Sequence, residues 1–144
     1  MRNKVPERKN MIKALRQEVV PLLRRAGFSG SFPHFRRISK DKIDLIMFQF
    51  NKYGGSFVIE VAQCSPKGRI HSWGEKVPPE KVKVYDCLTE DRERITYDKD
   101  IDRDEWISYE NADYEKAAKE VTHYIDKAES WFKNRKPVWK YKKI

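Results

Sequence analysis

A pair of adjacent glycines, Gly54 and Gly55, separates two strongly apolar segments and constrains the fold of this chain more than any other feature. Glycine readily adopts the positive φ that tight hairpin turns require. Successive side chains in the segments on either side point to opposite faces of a strand, and this alternation gathers a row of apolar residues on one face. The sequence therefore predicts a β-hairpin over Lys42–Cys64, closed by a two-residue turn.

Folding the chain at this turn places Phe50 opposite Ile59 and Gln49 opposite Glu60. Because side chains alternate between the faces of a sheet, one face then carries an apolar row that needs a cover. The second face is polar near the turn and apolar further away. A shift of one residue would expose the apolar row, so the assignment of faces is strongly specified. The apolar row comprises Ile46, Phe48, Phe50, Phe57, Ile59 and Val61.

An amphipathic helix is predicted before the hairpin, from Asn10 as the N-cap to about Ala26. Pro21 lies inside this segment and removes a backbone donor, so we expect a kink there or two short helices. Gly27 suits the left-handed conformation that often ends a helix. The predicted apolar stripe comprises Ile12, Leu15, Val19, Leu22 and Ala26.

A longer helix is predicted over residues 111–134, where apolar residues recur at spacings of three and four. Further strands are predicted at Phe32–Ile38, Val82–Leu88 and Arg94–Tyr97. The first should be an edge strand, because Pro33 has no backbone N–H and a central strand must donate to neighbours on both sides. The predicted class is α+β, with an antiparallel sheet of four to five strands around a meander. Both helices should pack on one face, leaving the other face at least partly open.

A chain of 144 residues can bury the core of one domain. We predict a basic arm over residues 1–9, a single domain over 10–135 and a basic tail over 136–144. No apolar run approaches the roughly 20 residues of a membrane span, and the N-terminus lacks the apolar part of a signal peptide. Cys64 and Cys87 form no redox or metal motif. We therefore expect a cytoplasmic protein with reduced, buried cysteines.

The net charge of +9 belongs to the two ends of the chain. Residues 1–25 contain eight basic residues against two acidic ones, and residues 133–144 contain six basic residues and no acidic one. The middle of the chain is net negative. Basic ends of this kind suit either solubilising tails or contacts with a polyanion.

Three short segments carry a resemblance to a known family: LLRRAGF at Leu22–Phe28, the aromatic and basic residues Phe35, Arg36 and Arg37, and MFQFNK at Met47–Lys52. Together they resemble an uncharacterised bacterial family, domain of unknown function 4304. The resemblance covers roughly residues 10–135. It implies a compact domain of helix, strands and helix, and it implies no activity, cofactor or site residue.

The candidate partner-binding residues are Arg36, Arg37, Gln49, Glu60 and Trp73. A carboxylate on a sheet usually needs a partner, and Arg36 and Arg37 are the basic pair nearest to Glu60 in sequence. Trp73 lies in a long loop, Ser65–Lys81, beside Arg69, and could anchor a partner. The structural alternatives are a solvated sheet face and a tryptophan folded back on the sheet edge.

Catalytic and metal-binding motifs are not found in the sequence. There is no glycine-rich phosphate loop, no nucleophile elbow and no Cys/His cluster with zinc spacing. Asp98, Asp100 and Asp102 match the start of a calcium loop, but Arg103 and Tyr109 stand where that loop needs Gly and Glu. The sequence therefore predicts a protein without enzymatic activity, cofactor or metal.

Three functions are compatible with these features. One is binding of a small ligand on the open sheet face, which requires a pocket there, and the other two are as follows. The first is a protein-interaction domain that uses the open sheet face and the 65–81 loop to bind an unidentified protein partner. The second is nucleic-acid binding through the basic ends, where aromatic side chains are interleaved with lysines. A solvated tail is the structural alternative to the second function. The residues in question are Lys136, Trp139, Lys140, Tyr141 and Lys142.

Overall fold

A five-stranded antiparallel sheet and three helices make up the computed structural model, which describes residues 7–96, 106–136 and 139. The helices are α1 (Arg8–Glu18), α2 (Val20–Arg25) and α3 (Tyr114–Asn134). The strands are β1 (His34–Ile38), β2 (Ile43–Phe50), β3 (Ser56–Cys64), β4 (Arg69–Ile70), β5 (Lys76–Val77), β6 (Arg92–Arg94) and β7 (Ile107–Ser108). This architecture confirms the predicted α+β class.

The sheet has the strand order β1-β2-β3-β6, and β7 pairs with the other end of β3. β1, β2 and β3 form the predicted meander, and β1 is an edge strand as Pro33 required. The strand predicted at Arg94–Tyr97 begins earlier, at Arg92, and Ile95 continues the pairing by donating its N–H to the Ile59 carbonyl at 2.9 Å. β4 and β5 form a separate small hairpin within the predicted loop.

Two short helices, rather than one, precede the sheet. Helix α1 begins after Glu7, not at the predicted N-cap Asn10, and the chain breaks at Val19 so that Pro21 falls in the first turn of α2. A proline is tolerated there because the first N–H groups of a helix have no partner within the helix. Gly27 follows α2 with a φ of +95°, as predicted.

The buried row of these helices differs from the predicted stripe. It runs through Met11, Leu15, Val19 and Leu23, while the predicted Ile12, Leu22 and Ala26 are only partly buried. A row that advances by four residues at each step drifts around a straight helix. The interruption at Val19 lets α2 turn independently of α1, and a single helical period could not predict that rotation.

The hairpin between β2 and β3 keeps the predicted faces but not the predicted pairs. Phe50 pairs with Phe57 rather than Ile59, so the register is displaced by two residues and every side chain stays on its predicted face. Glu60 therefore lies opposite Met47, and not opposite Gln49. The displacement arises in the loop.

The hairpin loop has four residues, 52–55, instead of two. Asn51 donates its N–H to the Ser56 carbonyl at 2.9 Å, and its side-chain oxygen accepts the Tyr53 N–H at 2.9 Å. This side-chain turn competes with a tight turn at the two glycines. The glycines still adopt positive φ, at +87° and +81°.

The first sheet face is covered by all three helices. Helix α3 begins three residues later than predicted, with the Asp113 carboxylate accepting the Lys116 N–H at 3.3 Å, and it ends at Asn134 as predicted. Its buried residues interlock with an aromatic cluster on the sheet and with Phe28 and Tyr109. That cluster comprises Phe32, Phe35, Phe48, Phe50 and Phe57.

The second sheet face, which was expected to stay at least partly open, is covered over about half of its area. The predicted strand at Val82–Leu88 is wrong, because this segment forms 3₁₀ turns at Val84–Asp86 and Thr89–Asp91. The Asp86 carboxylate accepts the Lys83 N–H at 2.9 Å and closes the first turn. The segment then packs apolar side chains on the far half of the face, forming a second core of Ile43, Leu45, Met47, Ala62, Cys64, Val82, Val84 and Cys87.

Both cysteines are buried in this second core and are not disulfide-bonded. A hydrogen bond between the side chains of Cys87 and Cys64, together with burial, raises the pKa of the Cys87 thiol. The Cys87 thiol therefore stays protonated at neutral pH. Among the helices in the described ranges, none has the length and apolar character needed to cross a bilayer.

Candidate functional site

Arg36 and Arg37 lie side by side on β1 and project to opposite faces of the sheet. Arg36 donates to the Val82 carbonyl from Nε at 3.2 Å and Nη2 at 3.1 Å. Arg37 reaches the carboxylates of Asp44 and Glu129 on the helical side. Neither guanidinium forms the pair with Glu60 that the sequence suggested, because each is engaged elsewhere.

Arg37 belongs to a buried polar network at the end of α3. The Asp44 side chain is only 4% exposed, and it accepts from Arg37 Nη2 and from Gln63 Nε2, both at 2.8 Å. Gln63 also donates to the Phe132 carbonyl at 2.9 Å. These bonds satisfy polar groups inside the fold, so the network serves the attachment of α3 to the sheet.

Gln49 and Glu60 line a groove of about 670 Å³ at the sheet edge, where β2 continues beyond the end of β1. We call it the β2-edge groove. Helix α1 forms one wall, and the 3₁₀ segment and β6 form the other. Its lining residues are Arg8, Ile12, Arg16, Phe32, Pro33, His34, Met47, Phe48, Gln49, Phe50, Glu60, Tyr85 and Arg92.

The charge of the groove comes mainly from arginines. Arg8 lies over the Phe50 ring at 5.6 Å and donates from Nη2 to the Asn51 carbonyl at 3.1 Å. Arg16 lies over the Phe32 ring at 5.9 Å. These contacts orient both guanidinium groups along the groove wall. The lining contains three arginines and a single carboxylate, Glu60.

Two nitrogen atoms in the groove lining are buried without a hydrogen-bond partner, His34 Nδ1 and Arg92 Nε. Burial, and then the charges of Lys83 and Arg36, lower the pKa of His34, with Asp86 acting in the opposite direction. The imidazole is therefore neutral at neutral pH. A neutral imidazole protonated on Nδ1 donates from that atom, as Arg92 Nε does.

Trp73 is displayed at the tip of the β4–β5 hairpin and is 70% exposed. Its ring stacks on His71 with centroids 4.3 Å apart and planes within 4°, and its Nε1 donates to the Glu75 carboxylate at 3.0 Å. Trp73 is thus held by its own hairpin and does not fold back on the sheet edge.

Asp86 connects this hairpin to the β2-edge groove. Its carboxylate lies 3.0 Å from His71 Nε2, and its carbonyl accepts from Arg69 Nε at 3.0 Å. The preceding residue, Tyr85, is half exposed, lines the groove and meets the His34 ring edge-on at 5.7 Å. Contacts through His71 and Asp86 thus link the Trp73 hairpin to Tyr85 in the groove that Gln49 and Glu60 line. Arg37 takes no part in these contacts.

Among the tail residues, Lys136 is exposed. Trp139 donates its backbone N–H to the Asp91 carboxylate at 3.0 Å, which anchors it. Asp91 is 1% exposed and also pairs with Arg135. The other candidates of the tail, Lys140, Tyr141 and Lys142, lie outside the described residues, as does the acidic segment 98–105. Within the described ranges, no three His, Cys, Asp or Glu side chains are grouped so that they could hold a metal ion.

Sequence reasoning missed five residues of this surface: Arg8, Arg16, His34, Tyr85 and Arg92. They come from α1, β1, the 3₁₀ segment and β6, and no spacing pattern relates them. Tyr85 was assigned to a strand that does not form. Because the predicted fold lacked the 3₁₀ segment, it did not indicate that these side chains lie close together.

A family model described as Domain of unknown function (DUF4304) matches residues 19–135. The match confirms the resemblance seen in the three short segments, and it begins after α1, which supplies Arg8 and Arg16 to the groove. No curated protein and no solved structure matches the chain.

Proposed function

The chain belongs to the family described as Domain of unknown function (DUF4304), and from this premise we propose that it is a non-enzymatic protein-interaction domain. The proposed interface extends from the β2-edge groove, through Tyr85, to Trp73. The observation that carries the proposal is the display of Trp73, which is 70% exposed yet held by stacking and a hydrogen bond. An exposed, ordered tryptophan loses little side-chain entropy when a partner covers it.

Two further features support a protein partner. Trp, Tyr and Arg are the side chains that most often dominate the energy of protein interfaces, and this surface combines Trp73, Tyr85 and Arg92. Polar groups such as Gln49 and Glu60 lie beside them and can supply the specific hydrogen bonds of an interface rim.

The test is affinity capture with the immobilised full chain from a lysate of the organism that encodes it. Trp73→Ala removes the exposed ring, and Glu60→Gln removes the carboxylate charge of the groove. Tyr53→Ala and Glu115→Gln are matched controls, since Tyr53 is 85% exposed in the hairpin loop and Glu115 is exposed on α3. We expect one set of proteins to be retained by the wild type and both controls and lost from both surface variants. Equal retention by all five proteins would overturn the proposal.

Nucleic-acid binding through the basic ends is the second candidate function. It is supported by the exposed Lys136 and by the anchoring of Trp139, which fixes the start of the tail at the surface beside Arg135. Replacing Lys136, Lys140, Lys142 and Lys143 by Gln keeps that anchor and removes the tail charge. This function requires that labelled DNA or RNA binds the wild type with a steep salt dependence and does not bind the variant.

A further inference from the structure

We infer that the β2-edge groove binds a short acidic segment of the protein partner, held in extended conformation along the exposed edge of β2. The inference rests on the proposed function and names the chemistry of the partner. It follows from three properties of the groove: an unpaired strand edge, an excess of arginine, and an apolar floor.

Along the side of β2 that faces β1, the edge lacks a paired strand only where it lies in the groove. β1 pairs with β2 as far as His34 and Met47; beyond that point Phe48 donates its N–H to the Pro33 carbonyl at 3.0 Å. Proline has no N–H to return to Phe48, and no described strand pairs with Phe50 on this side. An extended peptide can add to such an edge through main-chain hydrogen bonds.

The remaining edge of β1 is closed to a partner. Ser29 and Arg36 exchange two backbone hydrogen bonds of 2.7 and 2.9 Å, and His34 donates its N–H to the Ser31 carbonyl at 2.9 Å. The loop before β1 thus covers its outer side. Beside the groove, the edge that these contacts leave uncovered is the end of β2, which fits a short segment and not a whole strand.

The charge of the groove selects an acidic segment. Arg8 and Arg16 lie on one wall and Arg92 on the other, against the single carboxylate of Glu60. The buried, unpartnered Arg92 Nε is a donor, and His34 Nδ1 becomes one in the appropriate tautomer. A carboxylate side chain supplies the acceptors that both donors need, and its bonds to arginine are charge-assisted.

The floor of the groove, along the β2 edge, is apolar on both sides, with the rings of Phe32 and Phe50 toward α1 and the Met47 side chain toward the 3₁₀ segment. Side chains of an extended segment alternate in direction with a period of two. A segment that alternates acidic and apolar residues therefore places its carboxylates at Arg8 and Arg16 on one side of the β2 edge and its apolar side chains beside Met47 on the other.

The test is fluorescence polarisation with a short fluorescein-labelled peptide of alternating Glu and Leu. Arg8→Gln/Arg16→Gln removes two charges of the groove, and Lys13→Gln/Arg25→Gln removes the same charge from exposed positions of α1 and α2 outside it. We expect the groove variant to bind about tenfold or more weakly, since it loses charge-assisted hydrogen bonds, and the control variant to bind like the wild type. A peptide with Gln in place of Glu should not bind.

Strand pairing is tested with two peptides that are N-methylated at every second residue, in opposite phases. An added strand uses the N–H groups of one side only, so one phase should bind and the other should not. Equal binding of both phases would overturn the strand geometry. Equal weakening by the groove and control variants, or no binding of the Glu peptide, would overturn the acidic segment.

A single-stranded oligonucleotide of equal charge that binds more tightly, with the same dependence on Arg8 and Arg16, would assign the groove to nucleic acid and overturn the inference. The two proposals fail in distinguishable ways. Capture that depends on Trp73, without binding of the Glu peptide, overturns only the acidic segment. Capture that is insensitive to Trp73 overturns the proposed function.

Discussion

Arg37 on β1 and Glu129 on α3 are 92 residues apart in the chain, and two hydrogen bonds of 3.0 and 2.7 Å join their side chains. The same guanidinium binds the Asp44 carboxylate on β2 and lies over the Phe28 ring at 4.4 Å. One side chain thus connects the edge strand, the hairpin, the end of α2 and the last helix. Its contacts within the fold give it a structural role.

Replacing Arg37 by Met is expected to lower the free energy of unfolding by about 3 kcal/mol, because it leaves the buried Asp44 carboxylate without its main partner. The measurement is urea denaturation followed by circular dichroism. Arg25→Met is the matched control, since Arg25 is exposed on α2, and should change stability by no more than about 0.5 kcal/mol. Similar losses in the two variants would show that the network contributes no more than a surface arginine does.

Gly68 and Gly74 offer a matched pair within the hairpin that carries Trp73. Both adopt positive φ, +91° and +92°, so replacement by alanine should lower the free energy of unfolding by about 1–2 kcal/mol at either position. A Cβ on Gly74 has open space, whereas a Cβ on Gly68 would collide with the Val77 carbonyl oxygen. Gly68→Ala should therefore be clearly more destabilising than Gly74→Ala in the same urea experiment. Equal effects would mean that β5 moves aside without cost.

The pKa of His34 gives a pH dependence of stability. Because that pKa is lowered from its ordinary value of 6.5, the unfolded chain takes up a proton at a higher pH than the folded protein does. The stability is thus unaffected at pH values above the pKa of His34 in the unfolded chain. It declines as the pH falls from that pKa toward the lower pKa of His34 in the folded protein.

His34→Gln removes this contribution and should lose less stability than the wild type between about pH 7.5 and about pH 5.5. The measurement is the urea midpoint at each pH. His123→Gln, which removes an exposed imidazole from α3, is the control and should follow the wild type. A His34→Gln curve parallel to the wild type would contradict the lowered pKa.

Short-range patterns in the sequence determined a large part of this fold. The alternation on either side of Gly54 and Gly55 assigned the right residues to each face of the hairpin, and the period of α3 gave its buried side. These predictions hold because burial acts on each side chain by its polarity, and period two or period 3.6 then fixes which side chains share a face.

Predictions that depended on which residues become neighbours were less accurate. The register of β2 and β3 was wrong by two residues, since the Asn51 side chain reorganises the loop. The pairing of Glu60 with an arginine of β1 was wrong, because Asp44, Glu129 and the Val82 carbonyl bind those two arginines.

The sequence by itself thus determined the strands of the hairpin and their faces, the last helix and the α+β class, which are set by local polarity and backbone preference. Only the tertiary structure decided that the segment after β5 folds into 3₁₀ turns and covers half of the second face. That packing brings Tyr85 and Arg92 beside His34 and creates the β2-edge groove. The groove joins side chains from six elements, and their proximity is a property of the packed chain that no local pattern encodes.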